Sequence, residues 1–170
     1  MKKTLSEINH DKLYEAKKTD LFAVPGFKTV YDLYREYTAA GNYPYLSAVA
    51  DYIEKKLGLD LNATEKRNLE SFAYYVSRQI DEERKTDYAK KMLAAGWLAL
   101  STEIVKQAYE HGRKVMLVYE SQSILGITGR VEKTLKPVIA IDGSAWLMKP
   151  RARKKGYPAT GFQNAFCKIV

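Results

Sequence analysis

The sequence predicts an α+β protein in which a bundle of about five helices precedes a small antiparallel β-barrel. Apolar residues recur at helical spacing as far as Gly112. Beyond it the period falls to two residues and branched side chains become common. A hydrophobic fraction of 46% in 170 residues is enough for a buried core. We therefore expect a helical domain over residues 1–112 and a β domain over residues 113–170.

The first three helices are predicted from short apolar stripes bounded by capping residues. Thr4 and Glu7 have the spacing of a capping box, which opens a helix. A second stripe begins at Thr29 and stops at Gly41-Asn42, and a third stops at Gly58. Glycine favours such ends because it readily adopts the left-handed conformation that terminates a helix.

The fourth and fifth predicted helices are the most regular. The fourth begins at Asn62, an N-cap residue with Glu65 three positions later, and the charged run 81–85 is expected to end it. The fifth is predicted over residues 86–111, with apolar residues on more than one side. We expect this last helix to be central and to pack against the β domain.

Five short strands are predicted in the β domain, at 114–120, 124–135, 138–141, 144–148 and 165–170. The third and fourth are joined by Asp142-Gly143, a pair that favours a two-residue type I′ hairpin turn. In layout this succession is similar to SH3-like barrels, a resemblance of fold that implies no function.

The net charge of +8 lies entirely in the predicted β domain. Residues 113–170 contain eleven Lys and Arg and three acidic residues, whereas residues 1–112 contain seventeen of each kind. Five of the seven residues in the segment 149–155 are cationic, and no Asp or Glu follows them. Such an excess says little about the fold but favours an anionic partner.

We interpret this basic segment as an arm that contacts the phosphate backbone of a nucleic acid. Lysine and arginine neutralise phosphates and release counterions, and nearby aromatic rings stack on unpaired bases. Arg130 and Lys133 have opposite parity in their strand, so they share one surface only if Gly126 or Gly129 produces a bulge. The predicted nucleic-acid-binding residues are Lys149, Arg151, Arg153, Lys154, Lys155, Tyr157, Phe162, Arg130 and Lys133. An exposed, solubilising loop is the alternative interpretation of the segment.

No catalytic residue, metal ligand or cofactor site is predicted. His10 and His111 are far apart in sequence, and the single cysteine, Cys167, excludes a disulfide within the chain and a cysteine-based zinc site. The segment 126–129 has the GxxG form of a KH clamp, but it lies among strand residues and lacks a basic residue. A metal-dependent nuclease that uses scattered carboxylates is the alternative among enzymes.

Thirteen tyrosines, eleven of them before Gly112, favour a protein-interaction surface on the helical domain. We expect a non-catalytic protein whose β domain and arm bind DNA or RNA, while the helical domain binds a protein partner or a second copy. The alternative is a protein-interaction module, such as a small regulator or inhibitor of a nucleic-acid-processing enzyme. No secretory signal or membrane-spanning segment is expected, which favours a cytoplasmic location.

Overall fold

The computed structural model describes Leu5 and residues 7–122, 128–149, 156–162 and 164–170. The chain has two compact units, Met1–Thr86 and Asp87–Val170. The predicted combination of helices with an antiparallel sheet is confirmed. The division differs from the predicted domain boundary at residue 112, because the second unit also contains the helix that precedes the main strands. Within the described residues, no helix is both long and apolar enough to cross a bilayer.

The first unit, here called the helical unit, is built from amphipathic helices. They are α1 (His10–Lys17), α2 (Phe27–Ala39), α3 (Leu46–Lys56) and most of α4 (Ala63–Ala94), with a 3-10 turn at Leu21–Ala23. Their apolar faces meet in one core, whose largest fully buried side chains include Phe27, Phe72, Ile53 and Leu69. The helical stripes predicted from the sequence therefore form the interior of this unit.

The capping box predicted at the start of α4 is confirmed. The side-chain oxygen of Asn62 accepts hydrogen bonds from the amides of Thr64 and Glu65 at 3.0 Å each. In return the Glu65 carboxylate accepts one from the Asn62 amide at 2.9 Å. Amides that have no partner within the helix are satisfied in this way, which defines where α4 begins.

The predicted end of this helix at the charged run 81–85 is wrong, because α4 continues to Ala94. Charged side chains on a helix surface are compatible with helical backbone, and residues 59–95 contain no glycine or proline. The helix stops at Gly96, which has a φ of 75° and so adopts the left-handed conformation. The amide of Trp97 then bonds back to the carbonyl of Met92, as in a Schellman motif.

The single helix predicted over residues 86–111 is also wrong. Gly96 divides this stretch, and a short strand, β1 (Leu98–Ala99), precedes a separate helix, α5 (Thr102–Glu110). Ser101 caps α5 by accepting a hydrogen bond from the amide of Ile104. The helical periodicity of the sequence spans the break because apolar residues on both sides of it contribute to buried surfaces.

The second unit, here called the sheet unit, contains six antiparallel strands among its described residues. After β1 and α5 come β2 (Val115–Gln122), β3 (Thr128–Ile139), β4 (Ala145–Met148), β5 (Gly156–Pro158), a 3-10 turn (Ala159–Gly161) and β6 (Phe166–Ile169). The strand order is β1-β6-β2-β3-β4-β5. No ladder joins the outer strands β1 and β5 among these residues, so the sheet is not closed.

Two of the predicted strands are one continuous strand. The strands predicted at 124–135 and 138–141 are replaced by β3, which runs past Pro137. β3 pairs with β2 as far as Leu135 and with β4 from Lys136 onwards. Proline lacks an amide hydrogen, and here it occupies the part of β3 where the strand has exchanged its partner.

The hairpin predicted at Asp142-Gly143 is present, but its turn differs from the predicted type I′. Gly143 has a φ of 78°, whereas Asp142 does not have a positive φ. The amide of Gly143 bonds to the carbonyl of Ala140, and the amide of Ala140 bonds to the carbonyl of Ser144. This is a three-residue loop that ends in a left-handed glycine, one of the common hairpin connections.

Apolar residues pack on both faces of the sheet. On one face, Leu117, Leu135 and Leu147 lie in a core that also contains Val105 and Ala108 of α5. On the other, Val118 and Phe166 pack with Met92 near the end of α4. α5 contacts both β3 and β4, so the helix preceding the sheet does pack against it, as the sequence predicts.

Candidate functional site

Four side chains form a compact group on the α5-facing side of the sheet. Tyr119 of β2, Lys133 of β3, Tyr157 of β5 and Phe162 after the 3-10 turn are here called the aromatic–lysine cluster. Tyr119 lies two residues from Leu117, whose ladder partner is Lys133, and Tyr157 is the ladder partner of Leu147. Ladder partners and residues two apart share a face, so these side chains lie on the face of that core.

The cluster is held together by aromatic and polar contacts. The ring centroid of Phe162 lies 5.3 Å from that of Tyr119 and 5.5 Å from that of Tyr157, with interplanar angles of 56° and 61°. The Lys133 ammonium donates a hydrogen bond to the Tyr119 hydroxyl at 3.0 Å and lies 5.6 Å from the centroid of that ring. The three rings and the cation therefore form one connected group.

The cluster has a buried side and an open side. Tyr119 and Phe162 are half-buried and pack against the core between α5 and the sheet. Tyr157 is 41% exposed. Tyr157 is therefore the ring of the cluster that is most accessible to a ligand, and it packs against Phe162.

The position of Tyr157 depends on a close approach of two strands at Gly156. A Cβ atom at Gly156 would lie 2.8 Å from Cγ of Met148 and 3.4 Å from the carbonyl oxygen of Leu147. Only glycine fits this contact without a shift of its neighbours. Gly156 thereby lets β5 pair with β4, and the pairing sets the direction of Tyr157.

Lys133 carries a stable positive charge within this group. Its pKa is raised by the hydrogen bond to the Tyr119 hydroxyl, and the partial burial of the ammonium opposes the rise. Among the described residues, no carboxylate forms an ion pair with it. The ammonium is therefore charged at neutral pH and can attract an anion.

The basic segment predicted as an arm is joined to the sheet beside this cluster. Met148 and Gly156 are ladder partners, so residues 149–155 connect two adjacent paired strands. Lys149 directly follows β4 and is exposed. The chain therefore returns to the sheet at β5, earlier than the final strand expected from the sequence. The remaining predicted cations, Arg151, Arg153, Lys154 and Lys155, lie outside the described residues.

Arg130 is not brought together with Lys133. The β2–β3 ladder runs without interruption from Val115–Leu135 to Gln122–Thr128, so no bulge occurs at Gly129 and the two cations lie on opposite faces. The Arg130 guanidinium lies 3.8 Å from the Glu132 carboxylate, and Glu120 is its ladder partner. Acidic neighbours therefore offset the charge of Arg130, which is not part of the cluster.

The charge partition holds for the two compact units as it does for the predicted domains. Residues 1–86 contain fourteen basic and fourteen acidic residues, and residues 87–170 contain fourteen basic and six acidic residues. Many helical-unit cations are paired with carboxylates, as in Lys17–Glu82, Lys56–Glu36 and Lys66–Asp51. The whole excess of +8 thus belongs to the sheet unit.

The remaining sequence candidates add no site. Glu82 pairs with Lys17, and Glu83 accepts hydrogen bonds from Tyr31 and Gln79. Across the described ranges, no group of three or more His, Cys, Asp and Glu side chains is placed to hold a metal ion. Half of the GxxG segment 126–129 falls outside those ranges; its last two residues, Thr128 and Gly129, belong to β3.

Tyr119 was missed in the analysis of the sequence. Its strand is apolar almost throughout, and Tyr119 is not among the predicted site residues. The available signal was parity, since Tyr119 lies two and four residues after the buried Leu117 and Val115, on the same face, and close to the end of the strand. A tyrosine at the end of a buried face packs its ring against the core and presents its hydroxyl at the surface.

Comparisons with known proteins yield no relative for this chain, since no protein-family model, no curated protein and no solved structure matches it.

Proposed function

We propose that this is a non-catalytic nucleic-acid-binding protein in which the sheet unit contacts the phosphate backbone of DNA or RNA. The cations of the segment 149–155 and Lys133 would contact phosphates, and Tyr157 and Phe162 would contact bases. The observation that carries the proposal is the confinement of the +8 charge to the sheet unit, whereas the helical unit is neutral. A polyanion is the partner best matched to such an excess.

The geometry around the basic segment supports this proposal. The segment joins paired strands at Met148 and Gly156, so its two ends are adjacent on the sheet. Tyr157 follows Gly156, and Phe162 and Lys133 belong to the same cluster. Cationic and aromatic groups are thus combined in the sheet unit, a combination that suits the binding of single-stranded nucleic acid.

We also propose that the sheet unit is an SH3-like barrel and that the protein is cytoplasmic. The strand order β6-β2-β3-β4-β5, with β3 shared by two ladders, supports a small barrel of that kind. The free, buried Cys167 is consistent with a reducing compartment.

A salt titration tests the proposed function. A labelled oligonucleotide is titrated with the protein at several salt concentrations, and the logarithm of the association constant is plotted against that of salt concentration. Five phosphate contacts give a slope of roughly −4.5 on duplex DNA and −3.5 on a single strand, because each contact releases counterions. Absence of binding, or a slope near zero, contradicts the proposal. Intact plasmid after incubation with magnesium is the expected result for a non-catalytic protein.

A second candidate function, a protein-interaction module, is favoured by the exposed tyrosines of the helical unit. Tyr43 and Tyr45 are 66% and 67% exposed, and their ring centroids lie 4.6 Å apart. Exposed tyrosine is enriched at protein interfaces, so this pair fits a protein partner or a second copy of the chain. Such a partner would be lost on changing Tyr43 and Tyr45 to alanine, whereas nucleic-acid binding would not.

A further inference from the structure

We infer that the nucleic acid taken by the sheet unit is single-stranded, with an unpaired base stacked on Tyr157 at the open side of the aromatic–lysine cluster. The inference rests on the proposed function and narrows it to one class of substrate. It is argued from the exposure of the ring, the support beneath it, and the charge beside it.

The exposed ring is suited to stacking. Tyr157 is 41% exposed, and its contact with Phe162 is tilted by 61° instead of parallel. The contact between Phe162 and Tyr119 is also tilted, so no ring of the cluster is stacked face to face with another. Every base has an aromatic face, so a ring of this kind binds bases without reading their edges.

A duplex does not offer a free base face for stacking on Tyr157. Bases inside a double helix are stacked on each other and present only their edges in the grooves. Stacking on a protein ring requires a base that has left the stack, as in single strands and loops. Tyr157 is the middle residue of β5, which comes last in the order of the described strands and so lies at the edge of the sheet, where a splayed base can reach it.

The backbone holds the ring in place before a ligand arrives. β5 pairs with β4 through Trp146–Pro158, Leu147–Tyr157 and Met148–Gly156. The close contact at Gly156 and the fixed φ of Pro158 restrict the backbone on both sides of Tyr157. Little conformational entropy is then lost on binding, which favours affinity.

The charge of the site favours a polyanion over a peptide. Lys133 lies among the rings and forms no ion pair with a described carboxylate, and Lys149 at the end of β4 is exposed. An extended proline-rich peptide is another ligand that binds aromatic surfaces, but it has no phosphates to complement this charge. The observations therefore favour a single strand.

The test measures fluorescence anisotropy of five labelled ligands with the full chain. They are oligothymidylate and oligouridylate of about twelve nucleotides, an abasic strand with the same number of phosphates, a duplex of equal length, and a proline-rich peptide. The wild type is compared with Tyr157→Ala, with Tyr157→Phe, which keeps the ring, and with Tyr43→Ala, which removes a more exposed tyrosine from the helical unit. Circular dichroism verifies that each variant is folded.

The expected result separates stacking from charge. The wild type binds oligothymidylate or oligouridylate about tenfold more tightly than the abasic strand, which is within the range for one base stacked on an aromatic ring. Tyr157→Ala loses this tenfold on the strand with bases and nothing on the abasic strand. Tyr157→Phe and Tyr43→Ala behave as the wild type. The salt dependence of Tyr157→Ala is unchanged, because no charge is removed.

Three results would overturn the inference. One is equal affinity of the wild type for duplex, abasic and base-containing strands, which leaves nucleic-acid binding intact but removes stacking. Another is equal weakening of all ligands by Tyr157→Ala. The third is binding of a proline-rich peptide without binding of any strand, which would remove the proposed function as well.

Discussion

The helical unit and the sheet unit use the same residue types in opposite ways. In the helical unit basic and acidic residues are equal in number, and lysines such as Lys56 and Lys66 are paired with carboxylates. In the sheet unit basic residues outnumber acidic ones by fourteen to six, and Lys133 lies among aromatic rings. Paired charges on a surface contribute little beyond solubility, whereas an unbalanced excess attracts a ligand of opposite sign.

Tyrosine shows the same contrast. In the helical unit Tyr31 donates its hydroxyl hydrogen to Glu83, and Tyr52 donates to Glu36. Desolvation and these carboxylates raise the pKa values of both tyrosines. In the sheet unit the Tyr119 hydroxyl instead accepts a hydrogen bond from Lys133. In the helical unit the tyrosine hydroxyls thus bind carboxylates. In the sheet unit the Tyr119 hydroxyl binds a lysine, so a cation lies beside an aromatic ring.

The largest expected effect tests whether the two units are energetically separate. Phe72 is fully buried in the helical core, and Phe72→Ala is expected to lower the free energy of unfolding by about 3–5 kcal/mol through lost contacts and a cavity. Urea denaturation followed by circular dichroism measures this loss. Oligonucleotide affinity of the folded variant is expected to stay at the wild-type value, because the charge and the cluster belong to the sheet unit.

Cys167 provides the control for this prediction. It is buried in the sheet unit, and desolvation raises its pKa to about 11, so it reacts with a thiol reagent only when that unit opens. Leu117→Ala in the sheet core is expected to speed the labelling of Cys167, and Phe72→Ala is not. Equal acceleration by both substitutions would mean that the two units unfold together.

The next effect tests the charge partition. Alanine at four cations of the basic segment is expected to reduce the salt slope on a single strand by roughly 2.8, since each phosphate contact contributes about 0.7. Over a fourfold change in salt concentration, this reduces the change in affinity by a factor of about 50. The substituted residues are Arg151, Arg153, Lys154 and Lys155. Binding is measured by anisotropy from low to physiological salt.

A matched variant removes the same number of charges from the helical unit. The substituted residues are Lys12, Lys18, Lys55 and Lys85, all exposed. Net charge falls equally in both variants, so a general charge effect weakens binding equally. A loss of oligonucleotide affinity in the sheet-unit variant alone supports the contrast between the two units. Equal losses of affinity in both variants contradict it.

The smallest effect concerns an exposed network of the helical unit. The hydrogen bonds from Lys56 and Tyr52 lower the pKa of Glu36 below its ordinary value of 4.5. A carboxyl with a lowered pKa stabilises the fold above its unfolded pKa, and this contribution is lost as pH falls through the folded value. The melting temperature of Glu36→Gln is therefore expected to be slightly lower than that of the wild type at pH 6. The difference shrinks below about pH 4.5. A difference that grows in acid would contradict this assignment.

Local features of the fold were well predicted from the sequence. The capping box at Asn62, the hairpin at Asp142-Gly143 and the final strand depend on residues close together in the chain. The predicted length of α4 is wrong because the charged run 81–85 does not interrupt a helix, and the left-handed backbone that ends it comes at Gly96. β5 was not predicted because three residues carry no periodicity.

The sequence by itself determined the succession of helices and then strands, and the confinement of the positive charge to the C-terminal half, since both follow from residue order. The tertiary structure decided which of the charged and aromatic residues meet. Strand register placed Lys133 with Tyr119, Tyr157 and Phe162, and placed Arg130 on the opposite face beside Glu132. The physical reason is that pairing between distant strands depends on how the whole sheet buries its apolar residues, whereas periodicity reports only the faces of one element.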